Sequence, residues 1–167
     1  MTTYKGIHGL KVQHVTTDSV ASAISGGSWS SGGNLNTGRA EGSGSKGGTQ
    51  SATIAFGGFP PVPSRLAITE SYDGSSWTEV GDLNTGRSSM AGIGTSTAAL
   101  STGGGISPGP SNNTGINESW DGSSWTEVGD LNQARRELEG CGTSTAALAV
   151  SGATGPPKHT EVEQWNG

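Results

Sequence analysis

The chain has 167 residues, of which 30 are Gly and 7 are Pro, while 29% are hydrophobic and only 14% are charged. Low hydrophobicity favours disorder, but disordered chains are usually rich in charge, and this one is not. The net charge of −5 argues against a nucleic-acid partner, which needs a basic surface. No apolar run is long enough to insert into a membrane, and the single cysteine excludes an internal disulfide framework.

Within residues 1–19, the apolar Leu10 and Val12 alternate with Lys11 and Gln13, a pattern that predicts an extended arm with one apolar face. We expect this arm to dock on another subunit, and a frayed terminus is the alternative. The candidate contact residues of the arm are Tyr4, Ile7, Leu10 and Val12.

A segment running from Glu70 to Arg87 recurs almost letter for letter from Glu118 to Arg135. The two copies are 48 residues apart, and a fixed period of this length means that one structural unit is used several times. We expect the repeated arginines to form ion pairs or hydrogen bonds between units. A step of 48 residues separates the members of two sets, Trp29, Trp77 and Trp125, and Arg39, Arg87 and Arg135.

Each unit contains a strong signal for a tight hairpin. Asp73-Gly74 and Asp121-Gly122 lie between runs that carry aromatic residues, and Asp and Gly tolerate the positive φ that such turns require. The flanking Thr, Val and aromatic residues favour strands. The sequence therefore predicts an all-β fold with about four short antiparallel strands per unit.

A double glycine ends the predicted second strand at Gly57-Gly58 and at Gly103-Gly104, and Ser151-Gly152 takes this place in the third copy. An aromatic residue follows, and a Trp comes five residues after it. In these features the region 20–167 resembles the kelch family of β-propellers. The resemblance implies four-stranded blades packed around an axis, and it implies no particular chemistry.

The alignment of the repeats predicts the domain boundaries. The third copy ends at Trp165-Asn166-Gly167, before the strand that follows the hairpin in the other copies, and the equivalent strand stands near the N-terminus. We expect this N-terminal strand to complete a third blade through Gly26, Ser28, Trp29, Leu35, Gln164 and Trp165. The predicted segments are 20–39 for the closing strand, 40–87 for blade 1, 88–135 for blade 2 and 136–167 for the incomplete blade 3.

Three blades are fewer than the about four to eight blades that propellers usually have. Two chains would supply six blades, so we predict a homodimer whose chains exchange the closing strand and leave no open sheet edge. A larger ring is one alternative, and a monomeric three-bladed ring is another.

The sequence offers little that resembles a catalytic or metal site. Cys141 stands 48 residues after Ile93, at an apolar position of the repeat, and is predicted to be buried. The three histidines lack the spacing of metal ligands. We therefore predict no enzyme activity, no metal and no cofactor, although some kelch propellers are oxidases and an enzyme stays the third hypothesis.

The loops between the second and third strands differ most between repeats, and loops are where binding residues concentrate. Candidate ligand residues in these loops are Phe59, Arg65, Asn112, Asn113 and His159. They support an alternative function, a glycan-binding module that recognises a polysaccharide on a host surface.

The segment from Tyr4 to Gly9 resembles the opening segments of structural proteins of tailed phages, particularly marine ones, some of which carry kelch-like repeats. The resemblance implies a virion protein that is made in the host cytoplasm. The leading prediction is therefore a non-catalytic decoration or appendage protein. It would dock through its N-terminal arm on a larger assembly such as a phage capsid, neck or tail.

Overall fold

A computed structural model describes residues 27–60, 64–107, 112–155 and 158–167. Residues 32–167 form one compact unit. The predicted arm residues Tyr4, Ile7, Leu10 and Val12, and the predicted closure residue Gly26, lie outside the described residues.

The described residues contain short antiparallel strands that run in chain order through three sheets. The strands are β1 (Ser43–Gly44), β2 (Thr53–Phe56), β3 (Thr69–Tyr72), β4 (Trp77–Glu79), β5 (Ala91–Gly94), β6 (Ala99–Thr102), β7 (Asn117–Trp120), β8 (Trp125–Val128), β9 (Glu139–Gly142), β10 (Ala147–Val150) and β11 (Val162–Trp165). The first sheet has the order β1-β2-β3-β4, the second has β5-β6-β7-β8, and the third has β9-β10-β11. The third sheet therefore has one strand fewer than the other two.

The hairpin between β7 and β8 forms where Asp121-Gly122 predicts it. Asp121 Oδ1 accepts hydrogen bonds from the backbone N–H groups of Ser123 and Ser124, both at 2.8 Å, and Gly122 has a φ of 100°. The turn places Trp120 opposite Trp125 across the strand pair. The first sheet repeats this arrangement around Asp73.

The paired glycines follow the second strand of their sheet because the backbone there has positive φ. Gly103 and Gly104 have φ values of 65° and 109°, and a Cβ atom on Gly103 would lie 2.7 Å from the Arg135 carbonyl oxygen. The third copy reaches the same conformation with Ser151 at 56° and Gly152 at 117°. Ser151 is thus an L-residue in a region that favours glycine.

Two groups of buried side chains hold neighbouring sheets together. The rings of Phe56 and Trp125 meet in a T-shaped arrangement between the first and second sheets, with ring centroids 4.8 Å apart. The core between these sheets consists of Ile54, Phe56, Leu83, Met90, Ala99, Trp120 and Trp125. Smaller side chains fill the space between the second and third sheets, where the core residues are Ala91, Ile93, Leu100, Leu138, Ala147 and Ala149, with Trp165 packed against them.

The all-β prediction is confirmed, since the described ranges contain strands, turns and isolated bridges and no helix. None of these residues forms a helix suited to crossing a membrane. The hairpins, the glycine pairs and the aromatic pairs lie where the repeat predicts them. A closed ring of blades stays a prediction, as do the domain boundaries.

Candidate functional site

A buried ion pair connects each loop that follows a sheet with the sheet that comes next. Between the first and second sheets, Arg87 lies 2.9 Å from Glu118, and both side chains are fully buried. Asn84 donates two more hydrogen bonds to the Glu118 carboxylate, at 2.7 Å from its backbone N–H and 2.9 Å from Nδ2. These donors compensate the cost of burying a charge.

Two more copies of this arrangement exist. Arg135 pairs with Glu163, whose carboxylate also accepts hydrogen bonds from Asn132. In the remaining copy Arg39 pairs with Glu70, whose carboxylate accepts hydrogen bonds from the backbone N–H groups of Asn36 and Thr37. Burial of Glu70 opposes ionisation, but the N–H groups of Asn36 and Thr37, together with Arg39, lower its pKa overall. The prediction that these three arginines bond between units is confirmed.

Trp125 lies in a pocket between the first and second sheets. Its Nε1 donates to the Thr69 hydroxyl oxygen at 3.0 Å, and its ring lies 5.3 Å from that of Trp120. Phe56 closes another side of this pocket. An indole with an apolar body and one buried N–H needs such a combination of apolar walls and one acceptor.

The corresponding place between the second and third sheets is a cavity of about 70 Å³. Its walls include Leu100, Thr102, Asn117 and Trp165, which stand at the repeat positions of Ile54, Phe56, Thr69 and Trp120. Among the described residues, β11 is the last strand of the third sheet, so the position of Trp125 has no counterpart there. The cavity therefore lies where the repeat would place an indole.

Asn117 gives this cavity a hydrogen-bond acceptor. Its Oδ1 accepts from the Thr102 hydroxyl at 2.9 Å, while its Nδ2 donates to the Gly129 carbonyl oxygen at 3.4 Å. An amide oxygen has two lone pairs, so Oδ1 has the capacity for a second donor. Both Asn117 and Thr102 are buried.

The outer face of the third sheet, formed by Cys141, Leu148, Val150 and Val162, is a second unusual surface. Val162 is 53% exposed, and Leu148 and Val150 are only partly buried. The prediction of a buried Cys141 is wrong, because Cys141 is exposed. The equivalent Ile93 is buried because the third sheet packs on it, whereas the side chain of Cys141 points to the outer face.

At the other end of the series, the first sheet presents a half-buried aromatic pair. The rings of Tyr72 and Trp77 lie 4.9 Å apart, as Trp120 and Trp125 lie close together in the second sheet. Trp77 Nε1 donates to the Gly33 carbonyl oxygen at 3.0 Å.

The predicted closure residues fall on these surfaces only in part. Trp165 lines the cavity, and Gln164 is exposed on β11. Leu35 is half-buried in the loop ahead of the first sheet. Ser28 and Trp29 are both exposed, and Trp29 is the most exposed large apolar side chain of the described residues.

The predicted ligand residues make contacts within their own loops. The guanidinium of Arg65 lies 4.4 Å above the Phe59 ring and 3.9 Å from the Glu41 carboxylate. The His159 ring bonds Glu161 at 2.9 Å and Thr154 at 2.8 Å.

Asn112 and Asn113 lie in the corresponding loop of the second sheet, where the Asn112 carbonyl oxygen accepts from the backbone N–H of Ile106 at 3.0 Å. All three loops join the second and third strands of their sheets and so leave their sheets at the same end. The described residues contain no cluster of His, Cys, Asp or Glu that would hold a metal.

Sequence reasoning missed the asparagines of the ion-pair clusters and the two polar residues that line the cavity. Asn36, Asn84 and Asn132 share the period of the arginines, so the signal was present. The roles of Thr102 and Asn117 had no such signal, because neither residue is the same in the other copies.

No family model and no curated protein matches the chain. A solved structure titled "Structure of YjhT" is similar, with a TM-score of 0.64 and 15% sequence identity. The match covers 77% of this chain and 43% of that chain, so this chain spans less than half the length of its structural neighbour. A likeness at this identity shows the fold alone.

Proposed function

We propose that this chain is a non-catalytic structural module that forms a six-bladed, kelch-like propeller with a second copy. The observation that carries the proposal is that, among the described residues, the outer face of the third sheet and the aromatic pair of the first sheet stay partly exposed at the two ends of the sheet series. Each of these faces matches, position by position, a face that is buried between the first and second sheets.

On the third sheet, the positions that correspond to those of the first sheet are the ones that would pack against an aromatic pair. Phe56 and Thr69 of the first sheet pack against the aromatic pair of the second sheet. The third sheet carries Val150 and Val162 at these repeat positions, and both are partly or largely exposed. An exposed apolar face of this kind favours a protein partner.

The first sheet supplies a suitable partner for that face. Its Tyr72 and Trp77 form the same kind of ring pair as Trp120 and Trp125, and both are half-buried. A second copy placed head to tail would set this pair against Val150 and Val162. Because three blades are too few for a typical propeller, two copies that close on each other are the simplest ring.

The test is the solution mass of the full chain by light scattering. The proposal predicts about twice 16.7 kDa for the natural chain. Val162→Lys should reduce the mass to that of one chain, because a charge would be buried without a partner. Thr97→Lys, on an exposed turn of the second sheet, is the matched control and should leave the mass unchanged. A natural chain of 16.7 kDa would overturn the two-chain ring.

Cys141 provides an independent measurement, because it is the only cysteine. In the proposed ring the first sheet of the partner covers it, as the third sheet covers Ile93. Cys141 should therefore react with a maleimide much more slowly in the natural chain than in Val162→Lys. Equal rates in a chain of twice the mass would mean that another surface forms the dimer.

We further propose that the ring decorates a larger assembly, most simply a phage virion, through residues 1–19. This part rests on the resemblance of Tyr4–Gly9 to phage structural proteins. Deleting residues 1–19 should abolish incorporation into the parent assembly and leave the sheets folded, as judged by circular dichroism. Incorporation that survives the deletion would show that the arm is not the anchor.

A glycan-binding role is the second candidate, and the placement of the three variable loops at one end of their sheets supports it. Arg65 stacked on Phe59 offers a cation and an aromatic ring side by side in one of these loops. A glycan array would show saturable binding that Phe59→Ala abolishes. An array without any binding would leave the structural role as the proposal.

A further inference from the structure

We propose that the cavity between the second and third sheets is a tryptophan site that receives Trp29 from a second copy, with Asn117 accepting the indole N–H. The inference rests on the proposed two-chain ring and names the contact that closes it. It concerns the free side of β11, whose only partner among the described strands is β10.

The repeat defines the register of the incoming strand. In the second sheet, Trp120 lies opposite Trp125 and Ser119 opposite Thr126. Trp165 stands at the position of Trp120, and Trp29 stands in the same Ser-Trp context as Trp125. Trp29 of the second copy would therefore pair with Trp165, and its ring would enter the cavity that Trp165 lines.

The chemistry of the cavity fits an indole. Leu100, Ala147 and Trp165 provide apolar walls, and Asn117 provides an acceptor. Thr102 of the second sheet is smaller than Phe56, which stands at the same repeat position of the first sheet. The cavity therefore has more room on the side of the second sheet. Asp130, Asn132, Glu163 and Gln164 also line the cavity, so its walls are partly polar. A cavity with apolar walls and polar acceptors suits Trp better than an aliphatic side chain, because an indole has an apolar body and one N–H.

The three repeats differ in whether they offer a hydrogen-bond acceptor to an indole N–H. An acceptor is present where the facing indole has no other one. Thr69 accepts from Trp125. Asn117 takes the position of Thr69 in the second sheet, and Val162 takes it in the third. Val162 has no acceptor, and Trp77, the indole that would face it in the ring, already donates to Gly33.

The chain path agrees with an exchange between copies. In each repeat an Asn follows the Trp by seven residues and binds the buried Glu of the next sheet, as Asn84 after Trp77 binds Glu118. Asn36 binds Glu70 of the first sheet in this way. Trp29 then belongs to the sheet that precedes the first one, and in a two-chain ring that sheet is the third sheet of the partner.

The experiment measures the dimer Kd by analytical ultracentrifugation for the full chain and for Trp29→Ala. Loss of a central Trp at an interface should raise the Kd by about 100-fold. Ser30→Ala, the next residue of the same strand, is the matched control and should leave the Kd unchanged. Folding is not at risk in Trp29→Ala because Trp29 is exposed in the single chain.

A double-mutant cycle tests the hydrogen bond itself. Trp29→Phe keeps an aromatic ring and removes the N–H, so it should raise the Kd by about 10-fold in the natural chain. It should have almost no effect in the Asn117→Val background, since the acceptor is then gone. Thermal unfolding of Asn117→Val at low concentration checks that the second sheet is intact.

The outcomes separate the two proposals. A natural chain that never dimerises would overturn the proposed ring. A dimer that Trp29→Ala leaves intact would overturn only the tryptophan site, because another surface would then hold the copies together. A dimer that weakens in Trp29→Ala but shows additive effects in the cycle would place Trp29 at the interface and away from Asn117.

Discussion

The second and third sheets have similar sequences in the same register, yet they differ in burial. In the second sheet Ile93 and Leu100 are each 1% exposed. In the third sheet the equivalent Cys141 is exposed, and Leu148 is only partly buried. The strands themselves do not cause the difference, because β5 and β6 pair as β9 and β10 do.

The difference comes from the neighbours of each sheet. The second sheet is covered on both faces, and its contact with the third is so close that a Cβ atom on Gly140 would lie 2.6 Å from Ile93. Within the part of the chain that the structure describes, the third sheet is covered on one face only. A β-strand residue is therefore buried by the sheet packed above it, and the same repeat position has a different environment at the end of the series.

The largest effect that distinguishes the two sheets should come from their buried arginines. Arg87→Ala leaves Glu118 buried without its cation and should lower the free energy of unfolding by about 3–5 kcal/mol. Arg135→Ala should cost about 1–3 kcal/mol, since Glu163 is 16% exposed and keeps its bonds to Asn132. Urea unfolding at one fixed protein concentration measures both, and equal losses would contradict the comparison.

A leucine at the same position of the two sheets should show a smaller contrast. Leu100→Ala opens a cavity between packed sheets and should cost about 2–5 kcal/mol of stability. Leu148→Ala should cost about 1 kcal/mol at concentrations where the chain is monomeric, because the side chain already contacts water. In the proposed ring the cost of Leu148→Ala rises with protein concentration. If the stability loss of Leu148→Ala does not depend on protein concentration, a second copy does not cover the outer face of the third sheet.

The hairpin of the second sheet should give a pH dependence that the third lacks. Hydrogen bonds from the N–H groups of Ser124 and Ser123 lower the pKa of Asp121 from 3.8 to about 2. Because this pKa is lower in the folded chain than in the unfolded one, Asp121 stabilises the fold above about pH 4. That contribution disappears as the pH falls towards 2.

Asp121→Asn keeps an acceptor oxygen and removes the titrating group. The variant should therefore lose less stability than the natural chain between pH 5 and pH 2, as followed by the urea midpoint. Asp73, whose pKa is also lowered to about 2, serves as the matching site in the first sheet. An unchanged pH profile in both Asp121→Asn and Asp73→Asn would mean that the turns do not bind these carboxylates in solution.

The smallest effect should come from the ion pair that joins Lys46, in the turn between β1 and β2, to Glu139 of the third sheet. Their side chains are 44% and 78% exposed, and exposed pairs contribute about 0–1 kcal/mol. Lys46→Ala should therefore shift the urea midpoint only slightly, and less at high salt. A loss comparable to that of Arg87→Ala would show that the two sheets depend on this surface contact.

The local part of the fold was predictable from particular residues. Asp121-Gly122 predicted a turn because of its φ tolerance, and Gly103-Gly104 marked a backbone that needs positive φ. The period predicted that Arg87 and Arg135 bond between units. The partner Glu118 was visible only as a repeated residue, because the ion pair joins a loop residue to a strand residue 31 positions away in the chain.

The candidate site was not predictable in the same way. Cys141 was expected to be buried from its alignment with Ile93, and the alignment is correct while the environment differs. Thr102 and Asn117 are ordinary strand residues in the sequence, and they become the wall of a cavity only because the third sheet ends at β11.

The sequence by itself determined the repeat, the hairpins, the glycine turns and the all-β class, because these depend on residues close together in the chain. The tertiary structure decided which carboxylates are buried, which faces stay uncovered and where the cavity lies. Those properties depend on which sheet packs next to which, and burial is a property of the neighbouring sheet as much as of the residue.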